Sequence, residues 1–189
     1  ADNDVHIAVG HNIFPTGVIG HYARQLINDN IVFIFGTTPN LVKFSDEKDR
    51  RFGTNPFSAG LSYGRNKYFI FDVTTAQGSF GELLASKYNL IKFNKIKYHT
   101  THNKIPKRIE QLFNSNGLFT GSILQELNNQ SETRQFSLML LVQLLTVIVS
   151  QNETEVGDLV FITLKKDIFG SKKVYENVLD KINKNKIPG

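Results

Sequence analysis

Short apolar runs alternate with polar, turn-rich stretches along most of the chain, and these runs predict its elements. Val5–Val9 reads as a short buried strand, followed by a turn-rich segment, Gly10–Gly17, that contains Pro15. Over Val18–Asn28, Ile19, Tyr22, Leu26 and Ile27 fall on one face at helical spacing. Ile31–Phe35 is continuous, β-branched and aromatic, which is the pattern of a strand buried on both faces. Gly36–Pro56 reads as a long polar loop punctuated by Pro39, Gly53 and Pro56. Tyr68–Val73 predicts another buried strand, ending in Thr74 and Thr75. Lys87–Lys107 is basic and irregular, Ile109–Phe113 predicts a helical turn, and Asn114–Gly117 a tight turn. Gln135–Ser150 predicts the strongest helix, apolar nearly all round and therefore buried. Gly157–Leu164 predicts a strand. Ser171–Asn185 predicts a polar amphipathic helix with Val174, Val178, Leu179 and Ile182 inward. This alternation of strands and helices points to an α/β domain, and the irregular connections argue against assuming an all-parallel sheet.

Composition narrows the classes. At 189 residues the chain suits one domain with a real core. Its 40% hydrophobic and 21% charged content sets disorder aside. The absence of cysteine excludes disulfides, thiolate zinc sites and cysteine nucleophiles, and it fits a reducing compartment. A net charge of +5 is a modest surplus, more in keeping with a Lys- and Asn-rich composition than with a dedicated anion-binding protein. The longest apolar stretch, Leu138–Val149, is interrupted by Gln143 and Thr146 and falls short of the roughly 20 residues of a membrane span. Ala1–Asp4 lacks the basic start of a secretory signal.

Few motifs carry chemistry on their own. Gly10, Gly17 and Gly20 do not make the Gly-x-Gly-x-x-Gly of a common dinucleotide fold, and no phosphate loop is present. His99 and His102 have tolerable spacing for a metal pair, but they lack an obvious third ligand and sit in a basic segment that repels cations. Phe93 and Tyr98 interleave the lysines there, without the signature of a nucleic-acid module. A solvated basic loop is the simpler reading. Gly53-Thr54-Asn55-Pro56 is a compact turn rich in hydrogen-bonding groups. Asp72-Val73-Thr74-Thr75 closes a strand with one carboxylate and two hydroxyls, and strand ends of α/β proteins commonly face ligand crevices.

Taken in order, these pieces resemble the malate/L-lactate dehydrogenase-type oxidoreductases. Gly20-His21-Tyr22-Ala23-Arg24 is similar to that family's Gly-Tyr-Tyr-Ala-Arg helix. Arg51-Phe52-Gly53-Thr54-Asn55-Pro56 is similar to Arg-Leu-Gly-Thr-Asn-Pro, and Phe71-Asp72-Val73-Thr74-Thr75 to Leu-Asp-Met-Ala-Thr, with Gly81 on the glycine that follows. Asn114–Gly117 with Thr120, the apolar helix Leu138–Leu145, Val156–Ile162 and Ile187-Pro188-Gly189 resemble later segments.

The resemblance implies a three-layer α/β domain with a mixed sheet of the sulfolactate dehydrogenase-like type, not a common Rossmann fold. It implies a single cofactor-binding-type domain over residues 1–189, without the family's N-terminal helical catalytic part. It further implies NAD or NADP held by Tyr68, Phe69, Ile70, Phe71, Asp72, Val73, Thr74, Thr133, Arg134 and Gly189, a 2-oxo acid substrate, a homodimer, a cytoplasmic location, and neither membrane nor nucleic acid as partner.

Departures accompany the likeness. The chain is about half the family's length, and no Ser-His-Gly proton donor precedes Val5. The family's second histidine falls on Pro15, which has no proton to donate. Its Gly-Tyr-Lys-Gly-Tyr-Gly loop falls on Glu132–Ser137, where Arg134 keeps a positive charge but three glycines are gone. Glu82 replaces a lysine. These changes imply that no catalytic residue is complete within this chain. The alternative is an inactive relative that serves as an interaction or assembly module.

Overall fold

In the computed structural model the described residues are 4–28, 30–44, 47–64, 67–151 and 156–166, with the isolated helical positions 177, 180, 181 and 184. The strands are β1 (Val5–Gly10), β2 (Asn30–Gly36), β3 (Val42–Phe44), β4 (Pro56–Gly64), β5 (Lys67–Thr74), β6 (Tyr98–His99), β7 (Ser122–Gln125) and β8 (Leu159–Lys165). The helices are α1 (Ile19–Leu26), α2 (Phe80–Lys87) and α3 (Gln130–Ser150), with 3₁₀ turns at Lys95–Lys97 and Ile109–Leu112.

Five strands form an antiparallel sheet in the order β1-β8-β2-β4-β5. Its central strand β2 pairs Phe33 with Ile162 on one side and with Ala59 on the other. The period of two along a strand sends alternate residues to opposite faces. Val32, Ile34 and Leu159 pack with Ile19 and Ala23 of α1 and with Ile27 just after it, whereas Phe35 and Val160 pack with Val142 of α3. Each fully buried aliphatic side chain in these layers contributes about 2 kcal/mol. The domain is therefore α1, sheet and α3 in three layers.

A second sheet, β3-β7-β6, is mixed: β3 and β7 run parallel, β6 and β7 antiparallel. Its own core joins Leu41, Val42, Ile123 and Tyr98 to Leu83 of α2 and Met139 of α3. Phe136 of α3 lies edge-on to Phe44 and Phe52, at centroid distances of 5.1 and 5.8 Å, and ties that helix to the small sheet.

Several expectations are corrected. Val5–Val9 and Tyr68–Val73 are strands, but β1 and β5 are the two sheet edges and most of their residues are exposed. Phe69 is 56% exposed. An apolar run alone does not distinguish an edge strand from a central one. The helix expected from Gln135 begins at Gln130, capped by Asn129, whose side chain accepts the Glu132 N–H at 3.0 Å. It is also not buried all round. Met139, Val142 and Thr146 face the cores, whereas Leu144 and Ile148 are 51% and 67% exposed. The layers cover only one side of α3. It has the length and apolar character of a membrane span, but its inner face is part of both cores. The loop expected over Gly36–Pro56 contains β3, and the basic stretch after Lys87 contains a 3₁₀ turn and β6. The helix expected over Ser171–Asn185 lies largely outside the described residues.

Candidate functional site

Where β4 begins and β5 ends, the chain encloses a cleft of about 610 Å³. One wall is the loop Phe14–Val18, which enters α1 and contains a cis Phe14–Pro15 bond. The opposite wall is the start of α2, Ser79–Glu82 with Leu84. Thr38, Thr54, Pro56 and the β5 residues Asp72, Val73 and Thr74 form the floor. Phe14, Pro15, Val18, Val73, Phe80 and Leu84 make the lining largely apolar, with a few hydroxyls and two carboxylates set into it.

Each wall is fixed by a nameable contact. The first turn of a helix leaves N–H groups unpaired. Val18, the residue before α1, has no side chain to cap them. Asp72 does so from β5: its Oδ2 accepts the Gly20 N–H at 2.9 Å, and its charge faces the positive end of the helix. That approach requires glycine, since a Cβ at Gly20 would lie 2.7 Å from Asp72 Oδ2. At α2, Ser79 accepts the Glu82 N–H at 3.0 Å. The Glu82 carboxylate in turn takes hydrogen bonds from Lys97 Nζ at 2.9 and 3.1 Å. The loop carrying Phe14 and Pro15 is pinned from behind. Asp158 accepts the Asn12 N–H at 3.1 Å and lies 3.2 Å from His11 Nδ1, while Ile13 N–H donates to Gly157 O at 2.9 Å. Burial pushes the Asp158 carboxyl up, but the Asn12 N–H, the His11 imidazole and Ser150 outweigh it and hold the group below the ordinary carboxylate range.

The floor is a clasp built on Gly53-Thr54-Asn55. Thr54 N–H donates to Thr38 Oγ1 at 2.7 Å. The Thr54 carbonyl accepts the Thr75 N–H at 3.1 Å and the Thr74 hydroxyl at 2.9 Å. Asn55, fully buried with φ 40°, donates from Nδ2 to Met139 O at 3.2 Å and to Gln143 Oε1 at 2.9 Å in α3. A Cβ at Gly53 would lie 2.4 Å from the Thr38 carbonyl. One turn thus joins the loop after β2, the end of β5 and the middle of α3.

The same architecture recurs in solved enzymes. Sulfolactate dehydrogenase from Methanocaldococcus jannaschii matches 98% of this chain with a TM-score of 0.65 at 19% identity. Malate dehydrogenase from Pyrococcus horikoshii matches 97% at 0.68 and 18% identity, and malate dehydrogenase from Entamoeba histolytica 98% at 0.69 and 16% identity. The chain has the malate/lactate dehydrogenase-type fold. It covers 56%, 52% and 58% of those three chains, respectively, and so spans little more than half their length. No protein-family model matches the sequence, and no curated protein sequence matches it.

Within this dehydrogenase-type fold, the residues that the resemblance assigned to a cofactor separate into groups. Asp72, Val73 and Thr74 line the cleft. Farther along β5, Tyr68 carries the Arg24 guanidinium 5.0 Å above its ring, Phe69 points to solvent, Ile70 packs against the α1 core, and Phe71 meets Phe57 at 6.0 Å. Thr133 and Arg134 are exposed in the first turns of α3 and are not among the cleft lining. Their neighbour Gln135 donates to the Ala76 carbonyl at 2.9 Å, which sets this end of α3 beside the β5–α2 loop. Gly189 lies outside the described residues. Pro15 and Glu82, singled out as departures, both face the cleft. The sequence reading missed α2, and with it Phe80, Ser79 and Leu84 as lining. Ser79 followed three residues later by Glu82 is a capping-box pattern that marks this helix start.

Proposed function

We propose that the chain is the cofactor-side domain of an NAD(P)-dependent oxidoreductase acting on a 2-oxo or 2-hydroxy acid. The observation that carries this reading is the dehydrogenase fold over nearly the whole chain, with a cleft at the strand ends where Asp72, Val73 and Thr74 converge. The lining suits the ring-bearing nicotinamide end of such a cofactor, whose carboxamide can meet the hydroxyls. Phe14, Pro15 and Phe80 offer flat apolar walls, and Thr38, Thr54 and Thr74 set hydroxyls among them. Among the described lining residues none is Lys or Arg, so these residues offer the phosphates no cationic partner.

The chemistry a nicotinamide supplies when bound is the donation or acceptance of a hydride. This chain's residues supply position and exclusion. The aromatic walls would keep water from the ring when it is bound, and Asp72 holds α1 and β5 together at the cleft floor. Among the described lining residues, Pro15 has no proton to give, Asp72 accepts the Gly20 N–H and Glu82 is paired with Lys97. The proposal accordingly assigns the general acid to a part of the enzyme other than these residues. A cytoplasmic location and a homodimer belong to the same proposal.

Fluorescence or calorimetric titration with NADH and NADPH tests it. Saturable binding that weakens in Phe80→Ala is expected. Absence of binding up to about millimolar cofactor, a concentration at which even about 4 kcal/mol of affinity registers, removes the reading.

A further inference from the structure

A second cavity, of about 570 Å³, shares no lining residue with the cleft. It opens between β3, the β3–β4 loop, the turn after β6 and the start of β7, and its lining is strongly basic. Among the described lining residues, Lys43, Lys48 and Arg50 contribute three cations against one carboxylate, Asp49, with the His102 imidazole beside them. Hydroxyls of Thr101, Thr120 and Ser122 complete the wall.

Lys43 is the telling residue. It sits in β3 and is only 3% exposed, yet its ammonium donates to one neutral group, the Glu47 carbonyl, at 3.2 Å. No salt bridge to Lys43 occurs among the described residues. An ammonium carries three donors, and burying it without a counter-charge is costly. Burial accordingly holds its pKa below the ordinary lysine value. Arg50 is anchored by donation from Nη1 to the Gly121 carbonyl at 3.3 Å, so its remaining donors are oriented before any ligand arrives. The turn at Thr100–Asn103 is closed by Asn103 N–H to Thr100 O at 3.0 Å and Thr100 N–H to Lys104 O at 2.9 Å.

We propose that this cavity binds a phosphorylated small molecule through its phosphoryl group, with Lys43 and Arg50 as the principal contacts. A phosphate monoester brings close to two negative charges and three acceptor oxygens, which matches several cations and adjacent hydroxyls better than a carboxylate does. The cavity exceeds what a bare ion fills and lies within the ordinary range for small organic ligands. The proposal does not depend on the dehydrogenase reading.

The test is calorimetric titration of the full 189-residue chain at low ionic strength with glycerol 2-phosphate, inorganic phosphate and acetate. Glycerol 2-phosphate should bind at least as well as inorganic phosphate, acetate at least about tenfold more weakly, and Lys43→Met and Arg50→Gln should each weaken phosphate-ester binding by about tenfold or more. Unchanged affinity in both variants, acetate equal to the phosphate ester, or no saturation below about 10 mM overturns the proposal. If Lys43→Met does not melt cooperatively, the surface variant Arg50→Gln decides alone: a loss supports the site and unchanged binding removes it. NADH titrations of the first cleft should be the same in Lys43→Met as in the parent chain, so failure of one site is distinguishable from failure of the other.

Discussion

Replacing Asn55 by alanine tests the clasp beneath the cleft. Asn55 is fully buried, and two donations from its Nδ2 reach α3, to Met139 O and Gln143 Oε1. Losing two buried hydrogen bonds costs about 2 kcal/mol. Its φ of 40° adds about 1–2 kcal/mol for alanine, because asparagine tolerates the left-handed region and alanine does not. One term acts the other way: Asn55 Oδ1 is buried with no hydrogen-bond partner among the described residues, and its removal recovers about 1 kcal/mol. The net expected loss is about 2–3 kcal/mol, or a fall in Tm of roughly 4–12 °C for a chain of this size. The protein contains no tryptophan, so the melt is followed by far-ultraviolet circular dichroism. Asn55→Gly is the decisive companion. It loses the same hydrogen bonds but not the backbone preference, and should be about 1 kcal/mol less destabilising than alanine. A glycine variant no more stable than alanine, or an alanine variant within about 0.5 kcal/mol of the parent, would refute the reasoning.

Gly20→Ala should destabilise by about 1–3 kcal/mol in chemical unfolding, because its Cβ meets Asp72 Oδ2 at 2.7 Å. Gly81→Ala, in α2 with nothing nearer than Ser79 Oγ at 3.9 Å, should be neutral or stabilising by up to about 1 kcal/mol. Asp158 titrates lower in the folded chain than unfolded, so its contribution is present above the unfolded carboxylate pKa and disappears as pH falls through the folded one. The stability difference between the parent and Asp158→Asn should shrink correspondingly in acid melts. Lys43 also titrates lower when folded, so its burden is greatest below the folded pKa and lifts as pH rises toward 10.5. Lys43→Met should be the more stable protein at neutral pH, and that advantage should narrow in alkaline melts.

Much of the fold was legible where burial and pattern agree. β2 and β8 read as apolar runs because they lie inside the sheet, and the inner face expected of α1 was right at Ile19 and Ile27 but not at Tyr22, which is exposed while Ala23 is buried in its place. The pattern misled where apolar residues are not buried. β1 and β5 are edges, and Gln135–Gln151 contains no charged residue although much of α3 faces outward. The small sheet escaped notice because its strands are only two to four residues long, too short for a period to register. For the site, Asp72–Thr74 were found by their place at a strand end. Phe14, Ser79 and Phe80 were not, since they reach the cleft through tertiary packing of a loop and a short helix. The basic cavity was hidden for the same reason. Its charges come from segments that are far apart in sequence, and only the pairing of β3, β6 and β7 brings them together.

The motif that most strongly suggested a dehydrogenase is explained by packing before any chemistry is considered. Gly53 is required by the Thr38 carbonyl, Thr54 binds Thr38 and the end of β5, and Asn55 binds α3. In this chain the turn holds the architecture whether or not hydride is transferred. The turn therefore marks the fold, and the positions that bear on chemistry are those whose side chains face the cleft without holding the scaffold together. Pro15 is such a position, since its ring contributes shape to the wall and no proton. Glu82 also lines the cleft, but its carboxylate is bonded to Lys97 and so ties α2 to the segment before β6. Under the proposed reading, Pro15→Ala should weaken cofactor binding by removing part of the apolar wall, whereas Glu82→Gln, at a carboxylate held by Lys97, should affect it less, as NADH titration would show. On the same reading, cofactor titration and 2-oxo acid reduction are separate measurements: binding without turnover is expected of this chain, and turnover by the chain alone would show that it holds a competent acid.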